Sequence, residues 1–341
     1  MMASDVPVEF VVCPVCGADR SRPYRLRMYR IDCTTFDLVR CECGFVYINP
    51  RPQPAALAAL YADPDYYTSG YNLGVETENY FTRRAELIDH YEQALAGYER
   101  ESGRAAGDFL ELGSAGGFFL EAARRRGWRA KGVELSSSAA EYAVREFGHD
   151  VFQGWLEDAP FAAMSFDMAL ADNVLEHTVD PAATLHQLFS LLRPGGVLVV
   201  IVPTYVNSPW FRALQRVRRR LPRRLIGSHL LKLLKFDQDD AGAPYHILEF
   251  DRATLSRLVR RAGFDIIAVE GSLPRPAHLF KVARPSLQTR CLRWAFVILD
   301  HLMRAGVLPP ARVRLLARRP IARNVDGAGP RADAQLQVRA L

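Results

Sequence analysis

No run of apolar residues in this chain of 341 residues approaches the roughly 20 needed to cross a bilayer. The N-terminus also lacks the basic, apolar and small-residue order of a secretory leader. A cytoplasmic protein is the expectation. Cysteine is scarce beyond residue 43, since five of the six precede residue 44 and only Cys291 follows. Such a distribution builds no disulfide framework over the chain, and a reducing compartment would not maintain one. No Lys-Ser or Lys-Thr pair follows the glycines at 113–117, where the sequence runs Gly117-Phe118-Phe119. That absence excludes a loop of the Walker type, which needs the lysine and hydroxyl to hold a triphosphate. What remains, 49% hydrophobic and 24% charged residues, suffices for one sizeable core with smaller appendages.

The segment Phe109-Leu-Glu-Leu-Gly-Ser-Ala-Gly-Gly-Phe118 carries the most chemical information. An apolar strand ends beside an acid, turns through glycines and opens into a helix. Gly113 permits a tight turn, and Gly116 and Gly117 let backbone approach a ligand at the helix N-terminus. An acid about 20 residues after such a turn is placed to bind a ribose, and Glu134 stands there. Glu111, two positions before Gly113, would repel a pyrophosphate. It suits a cationic ligand instead.

The early cysteines read as metal ligands, or else as reduced, buried thiols. Cys13-Pro-Val-Cys16-Gly17 has the spacing of a zinc knuckle, and Cys41-Glu-Cys43-Gly44 supplies a second pair. Four thiolates, Cys13, Cys16, Cys41 and Cys43, would close a tetrahedral structural site with no position left for water or substrate. The second pair is more tightly spaced than usual, so Cys33 is an alternative to Cys41 or Cys43.

Further motifs follow in order: Gly132-Val-Glu134, Gly154-Trp-Leu-Glu-Asp-Ala-Pro160-Phe161, Ser165-Phe-Asp167, Asp172-Asn-Val-Leu-Glu-His177 and Leu192-Arg-Pro-Gly-Gly196. In this combination the chain resembles the class I S-adenosylmethionine methyltransferases from about residue 80 to 284. Ala115 stands for the usual middle glycine, and Trp155 for the acid that many relatives direct at the adenine amine. The resemblance implies S-adenosylmethionine as cofactor, held by Glu111, Gly113, Ser114, Ala115, Gly117, Glu134, Leu135, Leu156, Asp172 and Asn173. Residues 44–52 and the connector tyrosines Tyr61, Tyr66 and Tyr67 are similar to the ribbon and connector of bacterial members that carry a small zinc module. Many of those serve sugar, polysaccharide or secondary-metabolite pathways, which implies a small-molecule, glycan or lipid-linked acceptor. The tyrosines either line a substrate cleft or pack the ribbon on the core.

Hydrophobic periodicity predicts helices at 80–100, 117–127, 137–147, 181–192 and 251–262, alternating with strands at 109–113, 130–135, 149–154, 166–172 and 196–202. Strands at 264–270 and 277–283 are expected as a closing antiparallel hairpin. The fold class is α/β, a seven-stranded, mostly parallel, Rossmann-like sheet, for which the resemblance implies the order 3-2-1-4-5-7-6. The expected division is a zinc ribbon over 1–50, a connector over 51–79, and a catalytic domain over 80–284 with a basic insertion at 204–245. A helical extension over 285–321 and a disordered tail over 322–341 complete it.

Displacing methyl from a sulfonium asks mainly for alignment and desolvation. A neutral acceptor also needs a base, and His177 and His246 are the candidates, since imidazole titrates near neutrality. Each has an alternative role as a structural hydrogen-bonding group. Glu176 and His177 could also hold a divalent ion, but no third carboxylate is visible to join them. Residues 210–236 hold nine Lys or Arg and no acid, between apolar residues at helical spacing. Such a segment can touch an anionic membrane surface, bind an acidic substrate or act as a solvated lid. Residues 292–303 form a second apolar helix, too short to span a bilayer. Two further readings are an RNA methyltransferase and a binding protein that has lost catalysis. The ribbon carries no stacked aromatic and basic code for nucleic acid, and the intact acids at 111 and 134 argue for a working site.

Overall fold

A computed structural model describes residues 6–31, 34–61, 67, 80–204, 206, 246–273 and 287–321. Five strands come first: β1 (Val8–Glu9), β2 (Ser21–Ile31), β3 (Thr34–Cys41), β4 (Val46–Ile48) and β5 (Arg51–Pro52). Helix α1 (Pro54–Tyr61) follows, then α2 (Arg84–Ser102). The central fold runs β6 (Asp108–Leu112), α3 (Phe118–Arg125), β7 (Arg129–Glu134), α4 (Ser137–Phe147), β8 (Asp150–Gln153), β9 (Phe166–Asp172), α5 (Pro181–Leu191) and β10 (Leu192–Pro203). It closes with β11 (Leu248–Glu249), α6 (Arg252–Arg261), β12 (Asp265–Ser272), α7 (Leu287–Arg304) and β13 (Arg312–Arg318).

Among the described residues the main sheet has seven strands in the order β12-β13-β10-β9-β6-β7-β8. Counted along the catalytic fold this is the expected 3-2-1-4-5-7-6. β6 to β10 are mutually parallel where they pair, and β13 runs antiparallel to both neighbours. The seventh strand differs from the expectation. It is Arg312–Arg318, which pairs with β10 from Val197↔Arg318 to Pro203↔Arg312. The expected strand at 277–283 lies outside the described residues, and the 285–321 segment supplies the closing strand of the sheet rather than a purely helical extension. A hairpin looked natural because two apolar runs lay close in sequence. The apolar Val313, Leu315 and Leu316, all buried, instead complete the sheet after a crossing through α7.

The strands bury both faces, as a parallel sheet covered by helices requires. Side chains alternate across the sheet: Phe109, Met168, Leu170, Val197, Val199 and Leu316 pack with α2 and α3, including Leu95 and Phe119. Leu110, Ala169, Ala171, Leu198, Val200 and Leu315 face α5 and α6, with Leu185, Leu188, Leu255 and Val259. Helix starts are chemically specified. Asp180 accepts from the Ala182 and Ala183 amides ahead of Pro181, and Asp251 with Thr254 forms a reciprocal capping box at α6.

β11-β4-β3-β2 form a separate four-stranded sheet. The ribbon is therefore completed by a strand from within the catalytic chain: Leu248 pairs with Tyr47 and Glu249 with Val46. Phe45, Tyr47, Ile48 and Phe250 are fully buried there and continue into the core on the α5/α6 side.

Residues 207–245, the tail from 322 and Cys33 lie outside the described residues. Among the described residues no helix is long and apolar enough to cross a membrane. Helix α7 covers the predicted 292–303 and leaves Trp294 and Ile298 exposed.

Candidate active site

The loop after β6 is built as the glycines require. Gly113 has φ +73°, and a Cβ there would lie 2.5 Å from Val174 Cγ2. Only glycine allows both the left-handed turn and the close approach of the β9 loop. Gly117, at φ +76°, precedes α3, and its Cβ would meet Ala143 Cβ at 2.9 Å. The amides of Gly113 and Ser114 both donate to the Val133 carbonyl, at 2.8 and 3.1 Å, which locks the loop against β7.

Three carboxylates gather at the strand ends. Glu134 is buried, and its carboxylate accepts from the Ala115 amide at 2.7 Å, the Ser136 amide at 2.8 Å and the Tyr67 hydroxyl at 3.4 Å. Burial raises its pKa and those donors work against the rise. A carboxylate has about four lone-pair sites, so capacity remains for hydroxyl donors of a ribose. Glu111 is also buried, and its Oε2 has no hydrogen-bond partner among the described residues. Its pKa is driven well up by burial first and then by the negative charges of Asp172 and Glu134. The Ser114 hydroxyl is likewise buried without a partner. Orphaned acceptors and a surplus of negative charge fit a ligand that brings hydroxyls and positive charge, as S-adenosylmethionine does.

Asp172 is partly neutralised. Arg312 of β13 donates to both its oxygens, at 2.7 and 3.0 Å, beside a cavity of about 200 Å³ lined in part by His90, Tyr98 and Arg314. Sequence reasoning missed Arg312, because nothing local marks a residue 140 positions away as a partner. Asn173 sits at φ +54° with its side-chain amide donating to Asp172. Leu156 is buried and its carbonyl accepts from Gln187 at 2.7 Å, while Leu135 and Trp155 are half-buried.

The Tyr67 ring is buried over this cleft, 5.4 Å from Tyr80 and 6.1 Å from Phe81. Tyr61, from the end of α1, places its hydroxyl 2.7 Å from His177 Nδ1. Both connector tyrosines thus reach predicted site residues, and Tyr66 lies outside the described residues. A one-turn helix, Leu175–His177, carries Glu176 and His177 just past β9. The Ile247 amide donates to the Glu176 carbonyl at 3.0 Å, and the His177 and His246 rings stand edge to face at 4.8 Å. The two predicted histidines are therefore brought together, although 68 residues separate them in sequence.

At the ribbon, the four predicted cysteines converge with all sulfurs within 4.8 Å of one another. Cys13 and Cys43 sulfurs are 3.7 Å apart, Cys16 and Cys41 3.4 Å. Burial pushes the Cys13 thiol far up. Four converging sulfurs, two of them buried, form a donor set that fits a tetrahedral cation. Arg261 of α6 donates to the Val15 carbonyl, and Arg51 donates to the Val179 carbonyl at 2.5 Å. Both contacts tie the ribbon to the catalytic sheet.

The family described as "Methyltransferase domain" matches residues 80–269, more than half of the chain. The chain belongs to the methyltransferase-domain family. Its methyltransferase domain is 26% identical over 196 residues to a protein of Mycolicibacterium smegmatis named "Probable S-adenosylmethionine-dependent methyltransferase", covering 57% of this chain and 62% of that one. It is 27% identical over 186 residues to a ubiquinone biosynthesis O-methyltransferase of Aromatoleum aromaticum, covering 52% and 72%. Against a ubiquinone biosynthesis O-methyltransferase of Psychrobacter arcticus the match is 33% over 108 residues, 29% of this chain and 42% of that one. The matches thus span 42% to 72% of the length of these curated relatives. Among solved structures, an S-adenosylmethionine-dependent methyltransferase from Mesorhizobium loti matches with TM-score 0.41 and 18% identity, over 63% of this chain and 92% of that one. Phosphoethanolamine N-methyltransferase 2 of Haemonchus contortus matches with TM-score 0.47 and 15% identity, over 83% and 64%. Likenesses this distant do not bear on substrate.

The buried acids predict a pH effect on cofactor binding. A cationic ligand favours ionised Glu111, so the carboxyl pKa falls on binding from its raised free-state position. Affinity should then rise with pH between the bound-state and free-state pKa and level off above the latter, by up to about tenfold per pH unit. Titration calorimetry from acid to neutral pH should show that slope, reduced in Glu111→Gln. A flat profile in the wild type would contradict it.

Proposed function

We propose that this protein transfers a methyl group from S-adenosylmethionine to a hydroxyl of a small-molecule, glycan or lipid-linked acceptor, with a structural zinc ion in the four-cysteine ribbon. The observation that carries the reading is the meeting of His177 and His246 next to the strand end that bears Asp172. When bound, the cofactor supplies a methyl carbon on a sulfonium, a good leaving group. The chain's residues do the rest. Glu134 accepts hydroxyl donors of the ribose. Glu111 offsets positive charge, and the loop at Gly113 gives the ligand room against the backbone. The acceptor oxygen would take that methyl carbon, with the electron pair of the sulfur–methyl bond staying on sulfur. The His177/His246 pair lowers the cost of removing the hydroxyl proton. Hydroxyl rather than amine or carbon acceptors are favoured by the O-methyltransferase names among the curated relatives.

Label from the methyl donor should appear as an ether when the full chain is incubated with a panel of phenolic and sugar hydroxyl acceptors. His177→Ala and His246→Ala should each lower kcat by roughly 10²-fold or more, with S-adenosylmethionine affinity retained. Label found only on nitrogen or carbon would overturn the acceptor class. Unchanged turnover in both variants would remove the histidines from it.

A further inference from the structure

Glu176 is the most completely buried acid on the acceptor side, with no solvent exposure. Neither of its carboxylate oxygens has a hydrogen-bond partner among the described residues. Leaving such a group unpaired is costly, so a site that keeps one asks for a ligand. The charges that surround it are no remedy, because Asp172 and Glu249 add further negative potential and Arg312 is already engaged with Asp172. Two imidazoles stand beside it. One ligand atom each from Glu176, His177 and His246 lie within 4.8 Å of one another, and His177 Nε2 is 3.9 Å from Glu176 Oε1.

We propose that Glu176, His177 and His246 form a binding site for one divalent transition-metal cation on the acceptor side of the cleft, separate from the four-cysteine ribbon. Two imidazoles and one carboxylate are a donor set that suits such ions and leaves coordination positions open. Open positions distinguish a site that can take substrate oxygen from a closed structural one. The outer contacts are also of the right kind. A ligating histidine is normally fixed through its other ring nitrogen. Here the Nδ1 of His177 lies 2.7 Å from the Tyr61 hydroxyl, which leaves Nε2 to face Glu176. His246 is fixed by backbone: Ile247, the next residue, donates to the Glu176 carbonyl and accepts from the Ile48 amide of β4, each at 3.0 Å. The third ligand, His246, thus comes from the residues just before the strand that completes the ribbon sheet.

The inference deepens the hydroxyl-transfer reading and rests on it for its purpose. The imidazoles would then ease loss of the hydroxyl proton by holding the cation rather than by taking the proton themselves: the cation would hold the acceptor oxygen and lower the pKa of its hydroxyl, and the proton would pass to water before the oxygen takes the methyl. No redox change is involved.

The probe is Co²⁺, because its visible absorption separates nitrogen and oxygen ligands from thiolates. Full-length protein purified with zinc should bind one Co²⁺ per chain with weak ligand-field bands and no thiolate charge transfer. Glu176→Gln and His246→Ala should each weaken that binding by roughly 100-fold, and Tyr61→Phe by roughly tenfold. S-adenosylmethionine affinity, measured by calorimetry on the same samples, should stay within a factor of about two in all three, which also reports that the fold is intact. Cobalt bound only with thiolate charge transfer, no such cobalt in the wild type, or binding untouched by His246→Ala would overturn the site. Should Glu176→Gln fail to fold, His246→Ala and Tyr61→Phe decide it. Absence of S-adenosylmethionine binding in the wild type would instead overturn the methyl-transfer reading, and the cobalt count would still decide the metal.

Discussion

Glu134→Ala combined with Gly113→Val should leave no measurable S-adenosylmethionine binding by calorimetry. Valine at 113 puts a branched side chain at φ +73°, where its Cβ alone would sit 2.5 Å from Val174. Backbone strain of this sort costs about 1–3 kcal/mol, and the β9 loop must move away from the cofactor side to relieve the contact. Alanine at 134 removes the buried acceptor that draws in the Ala115 and Ser136 amides, along with any hydrogen bonds to the ribose, each worth about 1.5–3 kcal/mol when charged. Together these losses amount to on the order of a thousandfold or more in affinity. A thermal melt must accompany the titration, since Glu134 also ties the loop to the start of α4. Binding within tenfold of wild type by a folded double variant would mean that the cofactor does not use this loop.

Cys13→Ser together with Cys41→Ser should be the most damaging change outside the catalytic sheet. It takes one sulfur from each close pair, so no tetrahedral thiolate site survives. Structural zinc contributes about 10–16 kcal/mol of apparent binding free energy to small modules, and such a module unfolds without it. The consequence extends to the active site, because β4 of the ribbon holds β11 and with it the approach of His246 to His177. The double variant should retain S-adenosylmethionine binding, since the expected cofactor residues at 111–117 and 134 lie away from the ribbon, while methyl transfer falls by at least about 100-fold through misplacement of His246. Elemental analysis should give one zinc fewer per chain. A variant with full zinc content or full turnover would show that the ribbon neither holds the metal nor supports the site.

Much of the glycine-turn unit was legible in the sequence. Glu111, Gly113, Gly117 and Glu134 lie within one strand-turn-helix-strand unit, so short-range spacing alone brings them together. Parallel pairing then fixes the register, with Leu112 beside Val133. The cysteines were legible for a similar reason, because two local turns each present a pair of sulfurs. The structure gathers Cys41 and Cys43 with Cys13 and Cys16. The closing strand was not legible. Residues 312–318 carry no turn signal that would couple them to 265–272, and the pairing spans a helix and a segment outside the described residues.

The sequence by itself determined the alternation of helix and strand and the acid-lined loop, because these depend on apolar periodicity and on glycines at fixed offsets, and the resemblance carried by those motifs implied the strand order. Only the tertiary structure decided what surrounds the ends of β7 and β9. It alone brings Arg312 to Asp172, Tyr61 to His177, Tyr67 to Glu134, and His246 to Glu176 and His177. These contacts join residues tens to more than a hundred positions apart, and their free energy comes from burying shared apolar surface elsewhere in the core. No local pattern of side chains encodes a meeting that packing at a distance enforces.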